Sequence, residues 1–194
     1  MLYFDQAMKA LVDDIILHCA YFQHIKLDKV LISTKPSKVP GSEGLWAQLF
    51  PMRYKNGAFS GVEREGSRLE RYKMEPLVID GKEIFYIIYF FAPRFHQIPF
   101  IEKMTTIFHE LYHISPEFNG DVRRFPGKNY MHGTSMEKYD SLMMALAKDY
   151  LFRTQNLEKS DFLRFGYRAL QKRYGVVLES QFPEPFPLYV GSVQ

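Results

Sequence analysis

The stretch Thr106-Ile-Phe-His-Glu-Leu-Tyr-His-Ile-Ser-Pro116 decides how the rest of this chain is read. Pro99 upstream and Pro116 downstream bound a segment that predicts a helix to about Ser115, because proline suits a helix start and cannot continue one. On such a helix His109 and His113 project within about 40° of each other, and Glu110 lies roughly 60° beyond His113 on the same side. Met104, Ile107, Phe108, Leu111 and Tyr112 fall opposite, so one face can be buried while the histidines stay accessible.

Two imidazoles four residues apart on a helix can reach one metal ion, and the glutamate between them can act as base. The expected chemistry is hydrolysis: zinc polarises a scissile carbonyl and acidifies its bound water, and Glu110 takes the proton and passes it to the leaving amine. Catalytic zinc commonly has three protein ligands, so one donor must come from outside the helix. His132, Glu137 and Asp140 are the candidates. His132 is favoured because it stands on a Tyr-Met-His-Gly turn, where glycine lets the backbone approach closely. Glu137 lies about 140° from the centre of its helix's apolar stripe and has capping-box spacing from Thr134. Asp140 can accept the second N–H of a metal-bound histidine, or stand as a solvated helix charge. Tyr130, Tyr139, Arg123 and Arg124 are candidate oxyanion donors, with nothing in the sequence to choose among them. His18, His24 and His96 lack ligand spacing to each other and read as structural.

Working outward, residues 5–22 carry an apolar stripe (Met8, Leu11, Val12, Ile15, Ile16, Cys19) that predicts an amphipathic helix packed on a sheet. Strands are predicted at 29–33 and 45–54, separated by a loop at 35–42, with Asn56-Gly57 as a turn. The charged, glycine-containing stretch 61–73 shows no clear periodicity and predicts a mobile loop. Residues 77–79 and 83–91 flank Asp80-Gly81, the pattern of a hairpin. The apolar run 84–91 leads into the histidine helix and is expected at the edge of a cleft, offering backbone groups to an extended peptide; a strand paired on both sides is the competing reading. Further helices are predicted from the Thr134 cap to about Phe152 and near 161–174, and the proline-rich segment from about 181 is expected to be extended.

The chain has 194 residues, 46% of them hydrophobic, which suits one domain with one core. Its 25 basic and 22 acidic residues leave a formal charge of +3, without the one-signed surface of a dedicated nucleic-acid binder. Cys19 is the sole cysteine, so neither a disulfide framework nor a cysteine-built zinc site is available. With no basic, apolar leader and no apolar run of membrane-spanning length, the expected setting is cytoplasmic, without a membrane partner.

The histidine helix, followed by Phe118-Asn-Gly, Arg123-Arg124 and His132-Gly-x-Ser, resembles the phage metallopeptidase domain family over roughly residues 28–150 and is similar to SprT-like zincins. The resemblance implies an α+β class with a minimal zincin fold, helices packed on a small mixed sheet. It also implies one catalytic Zn2+ held by His109, His113 and His132, with Glu110 as base. Many SprT-like proteins carry a cysteine zinc ribbon; its absence here leaves a DNA-linked role without a carrier. The expectation is a zinc metallopeptidase acting on a peptide or protein. Against it stands a nonproteolytic, zinc-stabilised binding protein of the same fold, separable by Glu110-dependent cleavage. A third reading, nucleic-acid binding, would rest on Arg123, Arg124, Lys128, Arg164, Arg168, Lys172 and Arg173, charges that helix solvation also explains.

Overall fold

The structure is a computed structural model and describes residues 1–37, 44–127, 130–133, 135–155 and 158–193. It is α+β. In chain order, β1 (Leu2–Tyr3) leads into α1 (Phe4–His18), then come β2 (Val30–Pro36), β3 (Ala47–Pro51), β4 (Ser60–Glu65), β5 (Arg68–Lys73), β6 (Leu77–Ile79), β7 (Lys82–Ile84) and β8 (Tyr86–Ala92). Helices α2 (Arg94–Gln97), α3 (Phe100–Tyr112), α4 (Met136–Thr154) and α5 (Tyr167–Tyr174) follow, and β9 (Val177–Leu178) and β10 (Leu188–Val193) lie near the end.

The sheet that positions the site has the order β2-β8-β3, with β8 parallel to β2 and antiparallel to β3. Strand β8 is therefore central, and the expectation that 84–91 forms a cleft edge is wrong. Its unbroken apolar run reports burial on both faces, since a strand paired on both sides and covered above and below has no solvated face to alternate toward. Tyr86, Ile88 and Phe90 enter the main core with Val30, Ile32, Ala47 and Leu49, beneath the helices. Ile87 and Tyr89 point the other way, into a smaller cluster with Met52, Met74 and Phe182. Ile84 belongs to the β6-β7 hairpin, which Asp80 and Gly81 turn with φ of 50° and 75°, as the Asp-Gly signal predicts.

Helix α3 buries Met104, Ile107, Phe108 and Leu111 in the main core, the face read from its periodicity. It ends three residues short of Ser115, and α4 packs along it. Ser135 caps α4, its hydroxyl accepting from the Lys138 amide at 3.3 Å. This displaces the predicted Thr134–Glu137 capping box by one residue; Thr134 itself lies outside the described residues, as do Lys128 and part of the 35–42 loop. The helix predicted near 161–174 is divided into a 3-10 segment, Glu158–Arg164, and α5, with Gly166 as the α5 N-cap.

The loop expected at 61–73 is instead the β4-β5 hairpin, extended by β10 into a three-stranded antiparallel sheet. Both faces of this arm are largely exposed, so β4 and β5 carry charges on both sides and show no apolar alternation. Part of the proline-rich tail thus forms a strand, while residues 179–184 bind the outer edge of β2 through Thr34 N to Ser180 O at 2.9 Å and Phe182 N to Ser33 Oγ at 2.8 Å. Among the described residues, no helix is long and apolar enough to cross a membrane.

Candidate metal centre

Helix α3 delivers His109 and Glu110, and His113 follows as its C-cap with φ −67° and ψ −19°, still helical, its amide bonded to His109 O at 3.2 Å. The helical offset between the two histidines thus survives past the end of α3. The chain then turns back: Ile114 bridges Val122, and Arg123 N donates to His113 O at 2.6 Å. Phe125 N bonds Tyr130 O at 2.8 Å, closing the loop that presents His132. Gly133 holds φ +70°, a conformation side-chain-bearing residues rarely adopt, so the turn after His132 depends on glycine.

His109, His113 and His132 converge, one ring nitrogen from each lying within 4.8 Å of the others. His109 Nε2 and His132 Nε2 are 3.3 Å apart. Two ligands at roughly 2.0–2.1 Å from a tetrahedral ion hold their donor atoms roughly 3.3–3.4 Å apart, so the residues present fit a metal ion. Burial, with repulsion from His109 and His132 second, pushes His113 down to about 3; burial also lowers His109 and His132. The three rings are neutral near pH 7 and offer lone pairs rather than charge.

Glu110 is 6% exposed, and its Oε2 accepts the Leu49 amide of β3 at 2.6 Å. Burial pushes its carboxyl up to about 8, partly offset by that hydrogen bond. Two further contacts come from the first turn of α4. Asp140 Oδ1 lies 3.3 Å from His109 Nδ1. The Tyr139 hydroxyl donates to His109 O at 3.4 Å and lies 3.3 Å from His113 Nδ1. Glu137 is not among the converging donors but lines the adjoining cavity of about 890 Å³ between the leading end of β3, α3 and α4, with Trp46, Ala47, Thr105, Met136 and Met144.

No family model, curated protein or solved structure matches this chain. Several of the remaining candidate residues are engaged elsewhere. Arg123 Nε donates to Tyr112 O at 2.7 Å, and Arg124 is paired with the Asp121 carboxylate at 2.8 Å. Both are tied into the loop's own contacts, and of the arginines of the nucleic-acid reading Arg164 lies over Phe100 and Arg173 reaches Asp161. His96 bonds Glu179 at 2.5 Å, and His18 bonds Asp14 O at 2.9 Å. The Leu49 amide left no trace in the sequence, because a backbone donor has no residue type and its reach depends on how β3 lies against α3.

Two opposed pH effects are built into the metal-free protein. His113 has its native pKa depressed from 6.5 to about 3, so between those values the unfolded chain binds the extra proton and stability is lost as pH falls. Glu110 has its native pKa raised from 4.5 to about 8, so there the native state binds the extra proton and stability is lost as pH rises. His109 and His132, lowered from 6.5 as well, act in the same sense as His113, so metal-free protein is expected to have its highest Tm near pH 6.5, declining on either side. Calorimetry of chelated wild type and Glu110→Gln tests this. A variant whose Tm falls above pH 6.5 as steeply as wild type's would exclude a buried proton on Glu110.

Proposed function

We propose that this chain is a zinc-dependent peptidase with a minimal zincin arrangement, His109, His113 and His132 holding one Zn2+ and Glu110 serving as general base. The observation that carries the reading is the convergence of three neutral imidazoles beside a buried carboxylate from the same helix, at the wall of a cavity. When bound, the ion would supply Lewis acidity toward a carbonyl oxygen and toward water. The positive charge of a bound ion would favour the ionised carboxylate over the form burial protects, and Leu49 N–H anchors Glu110 Oε2, which leaves Oε1 to take a proton and later give it to the departing amine.

Strand β3, not β8, supplies an edge for substrate. The bonds Phe91 N to Trp46 O and Met52 N to Phe85 O face β8, so alternation places the Ala47 and Leu49 backbone groups on the opposite edge. Leu49 N is already turned to Glu110, and Ala47 borders the cavity. An extended peptide can pair there through main-chain bonds, with cavity side chains adding preference. In the alternative reading, a zinc-stabilised binding protein, the Leu49–Glu110 bond is a structural tie and no cleavage occurs. The test is metal analysis with a peptide library: one equivalent of zinc, cleavage abolished by chelation and restored by zinc, and amide protection at Ala47 by a noncleavable peptide are expected. Full occupancy without cleavage of any library member would favour the binding protein.

A further inference from the structure

Tyr139 and Asp140 are consecutive residues in the first turn of α4, and each reaches the Nδ1 of a different α3 histidine. Such contacts are common near metal ligands, but here a single helix turn supplies both. We propose that this turn of α4 is a positioning element that fixes the ring orientation and tautomer of the metal-binding histidines, directing His109 and His113 to ligate through Nε2. The inference rests on the metal reading above and assigns a role to two residues outside the ligand set.

The hydrogen bonds at the two Nδ1 atoms support this arrangement. Asp140 is half exposed and has only acceptors in its ionised form, so the 3.3 Å contact requires a proton on His109 Nδ1. A neutral imidazole protonated at Nδ1 carries its lone pair on Nε2, the atom that stands 3.3 Å from His132 Nε2. The Tyr139 phenol has one proton and two acceptors within reach; given to His109 O at 3.4 Å rather than to His113 Nδ1 at 3.3 Å, it leaves the phenol oxygen to accept from Nδ1–H. That again places the histidine proton on Nδ1 and leaves Nε2 free. The Tyr139 ring is stacked on His113 with an interplanar angle of 24° and meets His109 and His132 edge-on, fixing ring planes as well as protons. Tyr139 is buried, so it belongs to the packing between α3 and α4, whereas Asp140 acts from the cavity side. Carboxylate and hydroxyl partners of this kind raise ligand basicity and prevent rings from rotating away from the ion.

The test uses full-length Asp140→Ala, Asp140→Asn and Tyr139→Phe. Zinc affinity is measured by competition with a chromophoric chelator, and histidine tautomers are read from 15N NMR of the metal-free protein. Wild type is expected to show His109 and His113 protonated at Nδ1. Asp140→Ala should weaken zinc by about 10–100-fold and release His109 alone from the Nδ1–H form, while Asp140→Asn, whose Oδ1 still accepts, recovers much of the loss. Tyr139→Phe should release His113 alone and weaken zinc by about 10-fold. Because Asp140 is exposed, the apo Tm of its variants should stay within about 1 °C of wild type, separating positioning from folding. Unchanged tautomers in both Asp140→Ala and Tyr139→Phe would overturn the proposal. A wild type that binds no zinc yet shows the Nδ1–H tautomers, each released by its own variant, would defeat the metal reading and leave the positioning turn standing.

Discussion

Glu110→Gln is expected to keep a full equivalent of zinc and to lose about 10²–10⁴-fold in peptide hydrolysis, the range attributable to a positioned proton-transfer group. The substitution is nearly isosteric, and the glutamine Oε1 can still accept the Leu49 amide, so the strand–helix tie at 2.6 Å in wild type has a substitute. What disappears is a group that can carry a proton between reactant and leaving amine. Zinc retention separates this effect from ligand loss, because Glu110 is not among the converging nitrogens. The same change removes the carboxyl that burial raises to about 8, so the metal-free variant should be more stable than wild type at pH 8 even as it is inactive. Undiminished turnover in Glu110→Gln would remove Glu110 as base; loss of turnover accompanied by loss of zinc would make it structural.

Local signals carried the candidate site further than they carried the sheet. The helix around His109 was legible because its apolar residues recur with helical spacing and prolines bracket it, and helical spacing alone brings His109, Glu110 and His113 to one side. His132 was marked by a neighbouring glycine, whose φ of +70° the turn requires. By contrast, an apolar run cannot say whether a strand is central or at an edge, since pairing partners come from distant sequence; β8 takes β2 on one side and β3 on the other. The β4-β5 hairpin was missed for the opposite reason, because a strand exposed on both faces carries no alternation to detect. Gly66 at φ 61° was the available turn signal within that charged stretch. Tyr139 sits on an apolar stripe, and its hydroxyl gains a role only from the packing of α4 along α3 at the two histidines.

His132→Ala is expected to weaken zinc by on the order of 10²–10³-fold and to abolish measurable cleavage, whereas Glu137→Ala should leave affinity within about 3-fold of wild type. Structural zinc sites bind with apparent free energies of roughly 10–16 kcal/mol through four ligands, so one ligand carries about 3 kcal/mol. His132 differs from the other two histidines in its support. His109 and His113 are fixed by α3 and by the first turn of α4, while His132 is carried by a loop tied through Phe125 N to Tyr130 O and by the Gly133 turn. Its ring is also less buried than His113, so removing it opens a position that water can fill without disturbing the core. Metal affinity should therefore fall while the apo fold persists, unlike His113→Ala, which empties a buried site stacked on Tyr139. Competition titrations on the two single variants decide the third donor. Wild-type affinity in His132→Ala together with loss of zinc in Glu137→Ala would transfer the role to the carboxylate that lines the cavity, and the 3.3 Å approach of the two Nε2 atoms would then be a hydrogen bond of the metal-free protein, with His132 donating to His109.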